Sequence, residues 1–182
     1  KNANYGIFEV GMNHSGELTQ LSEMVCPDVA IITTVDLAHA EFFSSINEIA
    51  RAKAEIFKGL QQGGTAILNR DNQQFELLRD AALTAGAGQV IGFGVHNQSE
   101  FKVMDFELNA EGSSVRVCCD NIDFSYDLSM PGKHWVQNSL AVLAAVNAVG
   151  ADMIKAAKSF VNIKPFKGRG QFHTIPIQDG CF

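Results

Sequence analysis

"GTAILNRDNQQFELLRDAALTAGAGQVIGFG", residues 64–94, decides the fold. It opens on a short apolar run, GTAILN (64–69), and closes on another, QVIGFG (89–94). Between them, from about Asn72 to Ala85, Phe75, Leu78 and Ala82 recur on one side of a 3.6-residue period. Strand, helix and strand in that order is the rhythm of a parallel sheet covered on both faces. The same rhythm extends upstream. YGIFEVG (5–11) and DVAIITTV (28–35) read as two further strands, joined by a helix with Leu18, Leu21 and Val25 at i, i+3 and i+7.

The helix before residue 64 contains an oddity. In HAEFFSSINEIARAKAEIF (39–57), Ser45 and Glu48 have the spacing of a capping box, which starts a helix there. Ile46, Ile49, Ala50, Phe57 and Leu60 then form one apolar stripe, and Glu48, Arg51, Glu55 and Lys58 the wet face. Lys53 falls in the middle of the apolar stripe. Three outcomes are compatible with that position. The stem lies on apolar surface while the head reaches water, or the ammonium pairs with a carboxylate such as Glu9 or Glu41. In the third, a partly desolvated neutral lysine reacts with carbon dioxide to give a carbamate, an anionic oxygen ligand for a hard cation such as Mg²⁺.

From Phe101 to Met130 the pattern changes. FKVMDFEL, SSVRVCC and IDFSYDLS nearly alternate, with NAEGS and DN at the breaks, which predicts a three-stranded antiparallel meander as a small second sheet attached to the first. MPGKHWVQNSLAVLAAVNAVG then predicts a helix opening after Gly132 and stopping at Gly150, apolar on nearly all sides. A short helix from Asp152 to Val161 follows, and NIKPFKGRGQFHTIPIQDGCF reads as a connector ending in a strand. The expected class is therefore α/β: a mostly parallel sheet with helices on both faces, plus the meander.

Composition narrows the function classes. With 182 residues, 46% of them hydrophobic, the chain suits one well-packed domain with a small appendage. A net charge of −6 argues against a nucleic-acid or anionic-membrane surface, and no apolar run approaches the roughly 18 residues that a membrane span needs. Cys26, Cys118, Cys119 and Cys181 form neither a C-x-x-C pair nor a zinc-finger spacing, so they read as reduced packing residues with a cytoplasmic address.

Ligands of such sheets collect at the carboxyl ends of the strands. Glu9 lies near the end of the first expected strand, Thr33 and Thr34 end the second, and His39 follows in the loop before the Lys53 helix. A G-x-x-x-x-G-K-[ST] phosphate loop is absent from the sequence, and GFGV is a lone G-x-G.

FEVGMNHSGEL, TTVDLAHAEFFSSINEIARAKAEIF, GGTAILNRDN, MPGKHWVQNSLAVLAAV and KGRGQFH together resemble the central domain of the Mur ligases, in the family's order and over nearly all of the chain. The form E-x-G-x-N-H-x-G-E is most similar to the branch that joins D-alanyl-D-alanine to UDP-N-acetylmuramoyl-tripeptide. The resemblance implies an ATP-dependent amide ligase of peptidoglycan synthesis. It implies that Glu9, His39 and a carbamylated Lys53 serve as catalytic residues and Mg²⁺ ligands. It also implies that His134, Asn138 and Arg169 contact ATP, and that Asn13 and His14 lie near the substrate. The family often has His-Asn where this chain has His134-Trp135, so Trp135 either stacks on the base or packs. By the same resemblance, residues 1–164 are the central ATP-binding domain and 165–182 the hinge and start of a C-terminal domain. The phosphate loop is then expected upstream of Lys1, and the 182 residues alone are expected to be inactive. The competing readings are a folylpolyglutamate-synthase-like ligase, a metal-dependent hydrolase, which calls for an H-x-H pair this chain lacks, and a non-catalytic binding domain.

Overall fold

The computed structural model describes residues 3–36 and 43–163, together with the strand residues 176–177 and 180–181. The elements run α1 (Glu17–Val25), β1 (Val29–Ile32), α2 (Ile46–Ala54), a 3₁₀ turn (Glu55–Gly59), β2 (Thr65–Asn69), α3 (Phe75–Thr84) and β3 (Gln89–Gly94). They continue through β4 (Phe101–Leu108), β5 (Ser113–Cys119), β6 (Ile122–Leu128), α4 (Lys133–Ala148) and α5 (Met153–Ser159) to a short hairpin of β7 (Pro176–Ile177) and β8 (Gly180–Cys181).

Strands β1, β2 and β3 pair in parallel, with Val29 opposite Thr65 and Thr65 opposite Gln89. Their side chains alternate between two cores, as the period of two requires. Ala30, Ile32, Ala66 and Leu68 face α2 and α3, where they meet Ile49, Ala50, Phe57, Phe75, Leu78 and Ala82. On the opposite face Ile67, Ile91 and Phe93 meet Val136, Leu140, Leu143 and Ala144 of α4. Burying this apolar surface, at about 25 cal/mol per Å², is what holds helices to both faces.

The structure corrects four expectations. Residues 5–11 form no strand: the segment has no ladder partner among the described residues, and Tyr5, Ile7 and Phe8 are 64%, 98% and 65% exposed. Its apolar composition suits a strand, but pairing depends on tertiary partners and not on composition. Only its end is anchored, with Met12 buried and Val10 packed against the α2–α3 core.

Secondly, the meander is not a second sheet. β4 joins β3 in parallel through Phe93–Phe101 and Gly94–Lys102, so one six-stranded sheet runs β1-β2-β3-β4-β5-β6. The antiparallel partners β5 and β6 extend it, and Asp120 and Asn121, both with positive φ, make the tight turn between them. Thirdly, α1 buries Leu18 and Ser22 while Leu21 is 37% exposed, because α1 lies against the 3₁₀ turn and not over the sheet. Ser22 Oγ donates to the Ile56 carbonyl and accepts from Gly59 N–H at 3.2 Å, and the helix crosses so closely that a Cβ on Gly59 would overlap the Ser22 carbonyl group. Lastly, α4, apolar on nearly all sides, is not buried all round: Val142 in its middle is 45% exposed.

Candidate functional site

The Lys53 helix begins much as its sequence predicts. Ser45 Oγ accepts from Glu48 N–H at 3.2 Å, but the reciprocal half of the box is displaced by one residue. The Glu48 carboxylate takes Ser44 N–H at 2.8 Å and Ser44 Oγ at 2.6 Å. These two bonds hold the Glu48 carboxyl below its usual range. Lys53 is half-buried on a helix whose buried residues, Ile49, Ala50, Ala52 and Ala54, are all apolar. Among the described residues it has no hydrogen-bond or ion-pair partner, and burial lowers its pKa from the ordinary lysine value. Glu9 is exposed in the extended segment. Pairing between those two is therefore not seen. Glu41, the other suggested partner, lies outside the described residues, as do His39 and Arg169. Among the described residues no three His, Cys, Asp or Glu side chains cluster as a metal site.

The MNHSGE segment leaving Gly11 is organised by two carboxylates. Glu17 accepts from Asn13 N–H at 2.7 Å and His14 N–H at 3.2 Å, and these bonds lower its pKa. Glu55 accepts from Gly16 N–H at 2.7 and 2.9 Å, one bond to each oxygen. The helical wheel puts Glu55 on the wet face; the change from α to 3₁₀ geometry at that residue turns it toward α1 instead.

A second cluster forms the carboxyl rim of the sheet, and the sequence pattern gave it no role. Asn69 Nδ2 donates to the Thr33 carbonyl at 2.9 Å, and Asn72 Nδ2 to the Val35 carbonyl at 2.9 Å. Asp71 accepts from Val95 N–H at 3.0 Å, from His96 N–H at 2.9 Å and from Gln137 Nε2 at 3.0 Å. The NRDN turn (69–72) thus ties the ends of β1 and β3 to the first turns of α4. Gly94, at φ 141°, leaves room for the Asp71 carboxylate that a Cβ would displace. The legible signal was an Asn/Asp-rich turn placed directly after a fully buried strand.

On that first turn of α4, His134 is exposed and Asn138 half-buried. The His134 and Trp135 rings meet at 5.1 Å between centroids, so Trp135 packs on its neighbour's ring and a face of His134 stays open. A helix start with its free N–H groups, an imidazole and a carboxamide, set at the carboxyl rim of a parallel sheet, is an arrangement suited to a nucleotide.

A Mur ligase middle-domain family model matches residues 1–146, and the chain belongs to that family. The UDP-N-acetylmuramoyl-tripeptide–D-alanyl-D-alanine ligase of Rickettsia prowazekii is 30% identical to it over 171 residues, 94% of this chain and 38% of the relative. MurF from Acinetobacter baumannii superposes with a TM-score of 0.83 at 26% identity, covering 94% of this chain and 36% of that one. MurF of Thermotoga maritima, crystallised with ADP, shares the fold at a TM-score of 0.72 and 22% identity. The chain spans little more than a third of the length of these relatives.

Proposed function

We propose that the chain is the nucleotide-handling central domain of an ATP-dependent ligase that joins D-alanyl-D-alanine to UDP-N-acetylmuramoyl-tripeptide. The observation that carries this reading is Lys53, half-buried on a capped helix, without a hydrogen-bond or ion-pair partner among the described residues and held below its ordinary pKa by burial. Burial favours the neutral amine over the ammonium, and the neutral amine is the form that takes up carbon dioxide, as the family resemblance calls for. The names of the relatives support the choice of substrates.

In this reading residues 1–164 are the central domain and 165–182 lead into the next. Glu9, His39 and carbamylated Lys53 would hold Mg²⁺; two carboxylate-like groups and an imidazole suit a hard cation that keeps several waters. Held there, the cation would supply charge neutralisation at the phosphoryl group being transferred. His134 and Asn138 orient the adenine end of ATP, Arg169 binds the phosphates, and Asn13 and His14 face the muramoyl peptide. The peptide carboxylate attacks the γ-phosphorus of ATP, releasing ADP and giving an acyl phosphate. The dipeptide amine then adds to that carbonyl, loses a proton, and the tetrahedral intermediate expels phosphate. The residues of this chain orient the reactants and stabilise the charge that develops.

The full-length protein carrying this domain, given ATP, Mg²⁺, UDP-N-acetylmuramoyl-tripeptide and D-alanyl-D-alanine, is expected to release phosphate and yield the pentapeptide product by mass. Glutamylation of a folate in its place would move the assignment to a folylpolyglutamate-synthase-like enzyme. No dependence on ATP or Mg²⁺, together with full tolerance of Lys53→Ala, would leave a binding domain without catalysis.

A further inference from the structure

The 3₁₀ turn after α2 carries a carboxylate that neither the nucleotide reading nor the magnesium reading uses. Both oxygens of Glu55 accept the Gly16 N–H, at 2.7 and 2.9 Å, and Thr19 Oγ1 donates to Oε2 at 3.4 Å. The Glu55 backbone N–H closes the end of α2 on the Ala52 and Lys53 carbonyls. The side chain therefore reaches 39 residues back along the sequence, while its backbone is fixed one turn-bond from Lys53. A carboxylate at the start of α1 is also favoured by the helix dipole.

Within the loop, Asn13 and His14 donate their N–H groups to Glu17, which belongs to α1 itself. That pair of bonds shapes the loop but moves with α1. Further along, α1 is held to the 3₁₀ turn independently, through Ser22 with Ile56 and Gly59. Loss of Glu55 thus frees the loop end of α1 without undocking the helix.

We propose that Glu55 is a positioning residue, clamping the Asn13–Gly16 loop to the end of the Lys53 helix so that the substrate-facing loop and the reactive lysine keep one fixed relation. The proposal rests on the ligase reading of Lys53. Charge-assisted bonds to a backbone N–H are roughly twice as strong as neutral ones, so Glu55→Gln keeps part of the clamp and Glu55→Ala none.

The test uses the full-length protein with two readouts. Hydrogen exchange at Gly16 is expected to accelerate by about tenfold in Glu55→Ala and by less in Glu55→Gln, with Gly59 unchanged. In the ligation assay, kcat per folded enzyme is expected to fall about tenfold in Glu55→Ala with KM for ATP unchanged, because the nucleotide residues sit on α4, and Glu55→Gln should recover part of it. A purely structural role would lower the folded fraction and leave kcat per folded enzyme intact. Unchanged Gly16 exchange, or kcat within about twofold of the unsubstituted enzyme in both variants, overturns the proposal. If the unsubstituted protein does not ligate at all, the ligase reading falls, while Gly16 exchange still decides whether Glu55 holds the loop. Should Glu55→Ala fail to fold, Glu55→Gln carries both readouts.

Discussion

Replacing Lys53 by Met separates stability from function. The methionine keeps an unbranched, half-buried stem and removes an ammonium that has no acceptor among the described residues. Burial lowers the pKa of Lys53, so the folded state holds the proton less tightly than the unfolded state does. The sign follows directly. Below the folded pKa both states are charged and the full desolvation penalty is present. Between the folded pKa and the ordinary value of 10.5 the unfolded state binds more protons, and stability rises with pH. Because the group is half-buried and reaches some water, the penalty is on the order of 1 kcal/mol and not the several expected of a fully enclosed charge. Lys53→Met should therefore stabilise the chain by about 1 kcal/mol at pH 7, raising Tm by about 2–4 °C. Urea titrations at pH 7 and pH 10 read this, and the gap between the two proteins should narrow at the higher pH. The same variant should abolish ligation in the full-length enzyme. A Lys53→Met protein less stable than the original at pH 7, or a gap that widens with pH, would refute the reasoning.

Three further outcomes follow from the packing. Gly59→Ala should destabilise the chain by about 3 kcal/mol or more in a denaturant titration, since its Cβ would overlap the Ser22 carbonyl group at the closest approach of α1. Tyr126→Phe should cost about 1 kcal/mol: the buried phenol sits 2.6 Å from Ser139 Oγ, which already donates to the Val136 carbonyl, so the bond that is lost strips Ser139 of its donor. His134→Ala in the full-length enzyme should weaken ATP binding by calorimetry about tenfold while leaving Tm within about 2 °C, because the residue is exposed at the start of α4. An unchanged ATP affinity would move the adenine site away from α4.

Much of the fold was legible because the parallel strands are short, largely apolar runs and the helix between β2 and β3 has one consistent apolar face. TAILN is buried throughout, and Phe75, Leu78 and Ala82 are covered as their spacing predicts. The misreadings share a cause. Local pattern says which face of an element is apolar but not which neighbour covers it, so YGIFEVG reads as a strand although none of the described residues pairs with it, and Leu21 reads as core although α1 sits beside the 3₁₀ turn. The join between β3 and β4 rests on two residue pairs, too small a contact to leave a periodic trace. At the candidate site, Lys53 was visible as a pattern violation. Glu55 and Asp71 were not, because their roles are set by backbone N–H groups distant in sequence, and a carboxylate that accepts from a backbone looks in sequence like any solvated acid.

In the ligase reading, Lys53 lies on the apolar stripe because its neutral amine is the reactive form. The full-length enzyme, equilibrated with ¹³C-bicarbonate and read by ¹³C NMR, tests it most directly. A carbamate resonance that grows with bicarbonate, and is missing from Lys53→Met, is the predicted result. No such resonance at any bicarbonate concentration in an enzyme that ligates at its full rate would contradict the claim and leave Lys53 as a buried stem with no chemical part.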